Sequence, residues 1–109
     1  MKITRLETIP VRVPLKAGFA IRSGRGGAHP VSPFLLVRIH TEDGIVGLGE
    51  ASCTPRWSGE DHVTGAHLIR TYLEPLLVGE NPIEVARLTQ NFRLAFAGNH
   101  FTKAAVEMA

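Results

Sequence analysis

The sequence predicts an α+β fold, a three-stranded antiparallel meander followed by a helical bundle. Two observations carry this expectation. In the first half, apolar residues alternate with period two between glycines and prolines; in the second half they recur at spacings of three and four. Between the second and third strand-like runs, Glu42-Asp43-Gly44 places Asp-Gly where a hairpin turn needs it.

The first strand is read from Ile9, Val11 and Val13, which alternate with Pro10, Arg12 and Pro14. Proline cannot donate to a ladder, so this strand belongs at a sheet edge or ends there. Phe34 to Thr41 predicts a second, more buried strand, and Val46 to Ala51 a third. The stretch from about Lys16 to Pro33 holds Gly18, Gly24, Gly26, Gly27, Pro30 and Pro33. A loop of that length in a compact domain is either functional or disordered.

The second half predicts helices. Ser58 is expected to cap the first, with Asp61 three residues on and the Glu60-Asp61 pair at its positive end. Its apolar face is Val63, Leu68, Ile69, Tyr72, Leu73 and Leu76; Pro75 should bend or end it, and Gly79 should stop the segment. Asn81-Pro82-Ile83-Glu84 opens the next, with Asn81 as cap and proline first; Val85, Leu88, Phe92, Ala95 and Phe96 line one face and Gly98 terminates it. A third begins at Asn99, its expected cap, with Phe101, Ala104, Ala105 and Met108 on one face. That stripe meets no stop signal and no expected partner, so the chain reads as the front part of a longer protein.

Composition narrows the function. The chain has 109 residues, 44% apolar, which suits one small core. A net charge of +2 with 20% mixed charged residues argues against a nucleic-acid partner. No run approaches the roughly 20 apolar residues of a membrane span, and the first residues do not read as a signal peptide. Cys53 is the only cysteine, so no internal disulfide is possible and a cytoplasmic location is expected.

Few residues group into chemistry. His62 and His67 lie roughly 140° apart on a helix, a poor metal pair; His29, His40 and His100 have no ligand spacing. Gly24-Arg25-Gly26-Gly27 leads into a strand rather than a helix, so it reads as a loop tip and not a phosphate nest. Gly47-Leu48-Gly49 lacks the rest of a dinucleotide fingerprint and suggests close backbone approach within a sheet. Glu50 is expected as a structural anchor, facing the core or an interface, where it would need a partner. Cys53 reads as a buried or bystander thiol, and Trp57 either packs on the domain or offers a flat apolar surface to a ligand. No catalytic residue and no metal ligand emerges.

Taken together, the proline-bearing first strand, the glycine-rich loop and the run from Leu36 through Gly49-Glu50-Ala51 form a familiar pattern. Leu76-Leu77-Val78-Gly79 and Gly98-Asn99-His100-Phe101-Thr102-Lys103-Ala104-Ala105-Val106-Glu107-Met108-Ala109 complete it. Over essentially its whole length the chain resembles the N-terminal capping domain of the enolase superfamily. Within that superfamily it resembles the mandelate racemase/muconate-lactonizing group, and the muconate-lactonizing branch above all.

The resemblance implies that residues 1–109 cap a catalytic (β/α)-barrel absent from this sequence. The barrel would hold Mg2+ on carboxylates and abstract a proton α to a substrate carboxylate through an enediolate, as a cycloisomerase, racemase or epimerase does. The segment alone would be silent. It implies a small carboxylate substrate, the barrel and other copies in a homo-oligomer as partners. Two loops, about Ala17–Pro33 and Ser52–Ser58, would cover the substrate; Phe19, Ile21 and Arg25 of the first and Cys53, Thr54 and Trp57 of the second are the expected contacts. The contrasting reading is a stand-alone interaction module that docks through Phe101, Ala105 and Met108.

Overall fold

A computed structural model describes residues 1–19, 21–22 and 28–109. The main sheet has three antiparallel strands in the order β1 (Ile3–Pro14), β4 (Val31–Thr41), β5 (Val46–Ser52). The proline-bearing strand is at the edge, and it starts six residues earlier than its clearest alternation, at Ile3 rather than Ile9. The hairpin turn forms as expected. Thr41 N–H donates to the Ile45 carbonyl, Gly44 N–H to the Thr41 carbonyl, and Gly44 sits at φ +83°, where a side chain would be strained. The stretch expected to be a loop from Lys16 to Pro33 is shorter. A small ribbon, β2 (Ile21–Arg22) paired with β3 (Ala28–His29), lies within it.

One sheet face is the core face. Leu35, Val37 and Ile39 of β4 are buried there beside Ala51 of β5. Helices cover it. The first helical run comprises α1 (His62–Leu68), a π turn (Ile69–Leu73) and α2 (Glu74–Leu77). Gly65, Ile69, Leu73 and Leu77 are its buried residues. They recur every four positions because the wider π turn offsets the drift of an α-helix. Val63, expected on the apolar face, is exposed instead.

Pro75 does not end this run. Glu74 N–H donates to the Ile69 carbonyl, five residues back, and the π turn absorbs the donor that Pro75 lacks. The segment stops at Gly79, at φ +90°, whose N–H donates to the Ile3 carbonyl. Helix α3 (Val85–Ala95) starts later than expected. Asn81 Oδ1 accepts from Ile83 N–H at 3.2 Å in a local turn, and Asn81 is not the cap. Leu88 and Phe92 enter the core from α3, while Val85 is exposed.

The final helix, α4 (His100–Met108), packs on β5. Of the expected stripe only Ala105 is buried, beside Thr102 and Val106; Phe101, Ala104 and Met108 are exposed. Gly47 and Gly49 decide this choice. A Cβ on Gly49 would overlap the Ala105 carbonyl, and one on Gly47 the Ala109 carbonyl. The close backbone approach read from Gly47-Leu48-Gly49 is real, but a helix rather than a neighbouring strand makes it.

Candidate functional site

The register fixes which loops share an end of the sheet. Pro14 pairs with Val31, and Phe34 pairs with Ser52. At that same end Leu15 N–H donates to the Pro30 carbonyl and Cys53 N–H to the Pro33 carbonyl. The exit of β1, the entry of β4 and the exit of β5 therefore lie at the same end of the sheet, with the β1–β4 pairing running three residues further. The segments after β1 and after β5 leave the sheet at one end, on either side of β4, while the Asp43-Gly44 hairpin closes the opposite end.

The segment after β5 is tightly bonded to itself. The Thr54 carbonyl accepts the backbone N–H groups of Trp57, Ser58 and Gly59 at 2.9, 2.8 and 3.3 Å. Ser58 Oγ also donates to that carbonyl at 3.1 Å and lies 3.0 Å from the Thr54 hydroxyl. These bonds occupy Ser58, so it does not cap α1. Asp61 does: its Oδ1 accepts from Thr64 N–H at 2.9 Å and its Oδ2 from the Thr64 hydroxyl at 2.8 Å. Those bonds hold the Asp61 carboxyl below its ordinary pKa.

Each expected contact residue has a definite place. Trp57 is 79% exposed on top of this bonded turn, and Phe19 is 72% exposed just after Gly18 in the other segment. Thr54 is half-buried with its hydroxyl engaged by Ser58. Ile21 is described through its backbone, in β2; Arg25 and the Gly24-Gly27 tip lie outside the described residues.

Cys53 is withdrawn from the surface at 3% exposed, which does not suit direct contact with a ligand. Its thiol donates to the Ala51 carbonyl across 3.6 Å. Burial pushes that thiol's pKa up, and the Glu60 and Asp61 carboxylates push the same way.

Two further sequence expectations, for Glu50 and Asn99, change. Glu50, anticipated as an anchor facing the core or an interface, does not face the core: it is exposed on the opposite sheet face, across from Leu36. Asn99 does not cap α4, because it adopts left-handed backbone (φ 54°, ψ 48°) and its side-chain amide donates to the Ala97 carbonyl. Glu60 takes the capping role from 41 and 42 residues away. Its Oε2 accepts from Phe101 N–H at 3.0 Å, and its Oε1 from Thr102 N–H and the Thr102 hydroxyl, each at 2.9 Å. Sequence reasoning missed this, since a cap so distant leaves no local spacing to read.

At the opposite end of the sheet, Glu7 accepts from His40 Nε2 at 3.0 Å and lies 3.5 Å from Arg38 and 3.8 Å from Arg5. The His40 bond, helped by both arginines, holds the Glu7 carboxyl below its ordinary pKa. Among the described residues, no three His, Cys, Asp or Glu side chains converge as a metal site, and no helix is long and apolar enough to cross a membrane.

Comparison with known proteins interprets this geometry. Residues 5–109 match the family described as mandelate racemase / muconate lactonizing enzyme, N-terminal domain. The chain belongs to that family.

A chloromuconate cycloisomerase from Cupriavidus pinatubonensis is 37% identical over 111 residues, covering 100% of this chain and 29% of that protein. The N-succinyl-L-Arg/Lys racemase of Bacillus cereus is 29% identical across 100% of this chain and 29% of its own length, and its crystal structure superposes with a TM-score of 0.87. A dipeptide epimerase from Cytophaga hutchinsonii, complexed with Mg and the dipeptide D-Ala-L-Val, is 28% identical with a TM-score of 0.89, covering 100% of this chain and 28% of that one. All three are enzymes, and the two solved structures contain the same sheet-plus-helices unit. The chain thus spans less than a third of the length of the relatives it matches.

Proposed function

We propose that this chain is the substrate-capping domain of a two-domain enzyme that abstracts a proton α to a carboxylate, in a cycloisomerase, racemase or epimerase reaction. The observation that carries the reading is the pairing of two segments at one end of the sheet, with Phe19 and Trp57 exposed there. A large apolar side chain left in water on each of two segments at the same end of the sheet suits a surface that closes over something else. Similarity to a cycloisomerase, a racemase and an epimerase supports the reaction class.

In this reading the catalytic bases and the metal belong to a (β/α)-barrel beyond these residues. The described residues do not form a metal site, so the carboxylates for Mg2+ are assigned to the barrel. When bound there, the ion would stabilise the enediolate. The capping segments contribute exclusion of water and substrate selection. Phe19 and Trp57 offer apolar cover, Ile21 and Thr54 line the same segments, and Arg25 pairs with an anionic substrate group. Cys53 roots its segment in the core. We assign the protein to the cytoplasm and to a homo-oligomer on the same basis.

The test is solvent exchange. Full-length enzyme incubated in D2O with Mg2+ and a panel of N-acyl amino acids, dipeptides and muconates should incorporate deuterium α to the carboxylate, in the amino-acid or dipeptide itself or in the lactone formed from a muconate, and chelation should abolish this. Absence of exchange or turnover across the panel would remove the enzymatic reading. With a substrate in hand, Trp57→Ala should raise KM about tenfold, because an aromatic contact contributes on the order of 1.5 kcal/mol.

A further inference from the structure

Trp57 sits on a turn whose two ends are both fixed. At one end Cys53 is buried, and its N–H donates to the Pro33 carbonyl. At the other end Glu60, 8% exposed, reaches the first turn of α4 through three hydrogen bonds of 2.9–3.0 Å. Glu60 N–H also donates to Ser58 Oγ at 3.3 Å, and Ser58 is bonded to Thr54. A continuous run of bonds therefore leads from α4 through Glu60 and Ser58 to Thr54, beneath Trp57. Helix α4 in turn lies against β5 at Gly47 and Gly49, with no room for adjustment.

This arrangement is unusual for an ordinary helix cap. A local side chain at Asn99 would satisfy the α4 amides at less cost than a buried carboxylate drawn from a loop. The bonds immobilise a turn whose largest side chain is 79% exposed and so adds little to the core. Immobilising an exposed aromatic helps when something else must meet it, because the ordering entropy is then spent before binding.

We infer that Glu60 is a positioning residue, which holds the Trp57 turn at a fixed height over the sheet end so that a ligand meets a preformed aromatic surface. The inference rests on the proposed reading of that turn as a substrate contact. It further makes the turn after β5 a rigid platform and not a flap.

Hydrogen exchange and Trp57 fluorescence anisotropy test the clamp on this chain, where Trp57 is the only tryptophan. In Glu60→Ala, the amides of Trp57, Ser58 and Gly59 should exchange about tenfold faster, and anisotropy should fall while helical circular dichroism is retained. Glu60→Gln, which keeps an acceptor oxygen, should lie between. Unchanged exchange and anisotropy in a folded variant overturn the clamp. If Glu60→Ala does not fold, Glu60→Gln, which keeps one acceptor oxygen, and Thr102→Val, which leaves both backbone bonds in place, are judged by the same criterion.

In the full-length enzyme Glu60→Gln should raise KM several-fold and leave kcat within about twofold. Equal losses in kcat and kcat/KM, or an unchanged KM despite faster exchange, overturn the positioning role. An unchanged KM in Trp57→Ala instead overturns the substrate-contact reading beneath it.

Discussion

Cys53 and Asp61 flank the Trp57 turn and are held by opposite means. The Cys53 thiol is protonated and enclosed, and only the thiolate reacts quickly. A disulfide reagent at pH 8 should therefore label native protein far more slowly than unfolded protein, and the ratio of the two rates measures opening of the core. Fast labelling of the native state would contradict the burial. Asp61 is a charged cap. Asp61→Ala should cost about 1 kcal/mol at neutral pH, read from the denaturation midpoint.

The pH dependence follows from the direction of the shifts. Asp61 and Glu7 both titrate lower in the folded state than their ordinary values, so the unfolded chain binds protons first as the pH falls. Their stabilisation is complete above the ordinary carboxylate pKa of about 4 and is lost as pH drops through the lower folded values. The stability gap between wild type and Asp61→Ala should accordingly close below about pH 4. A gap unchanged at low pH would mean that charge is irrelevant to this cap.

At the scale of elements, the contact between β5 and α4 is the most demanding. Gly47 and Gly49 let a helix backbone lie directly on a strand, with Ala105 as the matching small residue. Gly49→Ala should cost about 3 kcal/mol or more, because the colliding atoms belong to backbone that cannot rotate away. Gly44→Ala, with open space around it but φ +83°, should cost only about 1 kcal/mol. Equal losses in thermal or denaturant unfolding would show that α4 can shift on the sheet.

The first helical run shows the same balance between local and tertiary forces. Pro75 weakens an α-helix locally. Burial of Ile69, Leu73 and Leu77 on one line keeps the run going through a π turn. The later starts of α1 and α3 have a common origin: Ser58 and Asn81 hydrogen-bond within turns first, and a side chain so engaged cannot cap.

The whole molecule is longer than a domain of its size requires. Its radius of gyration is 15.1 Å, against about 13 Å for a compact chain of this length. Its extents are 45 × 29 × 20 Å, and one contributor is an extension of the sheet. β1 and β4 continue pairing from Arg12 with Pro33 to Pro14 with Val31, beyond the last β5 pair at Ser52. This two-stranded arm carries Phe19 past the edge of the core, where the domain itself offers no cover. An arm of this kind suits a second body to close upon, and in the proposed enzyme that body is the barrel.

The sequence by itself determined the layout. Period-two runs, the Asp43-Gly44 turn and the prolines at an edge act over a few residues, so their meaning is local and could be read in order. The family was legible for the same reason, because its pattern is an ordered series of such local features. Only the tertiary structure decided which face of α4 is buried, that Glu60 rather than Asn99 caps it, and that Pro75 is passed by a π turn. Each of these depends on partners tens of residues away, where packing and a buried carboxylate outweigh the spacing rules of a single helix.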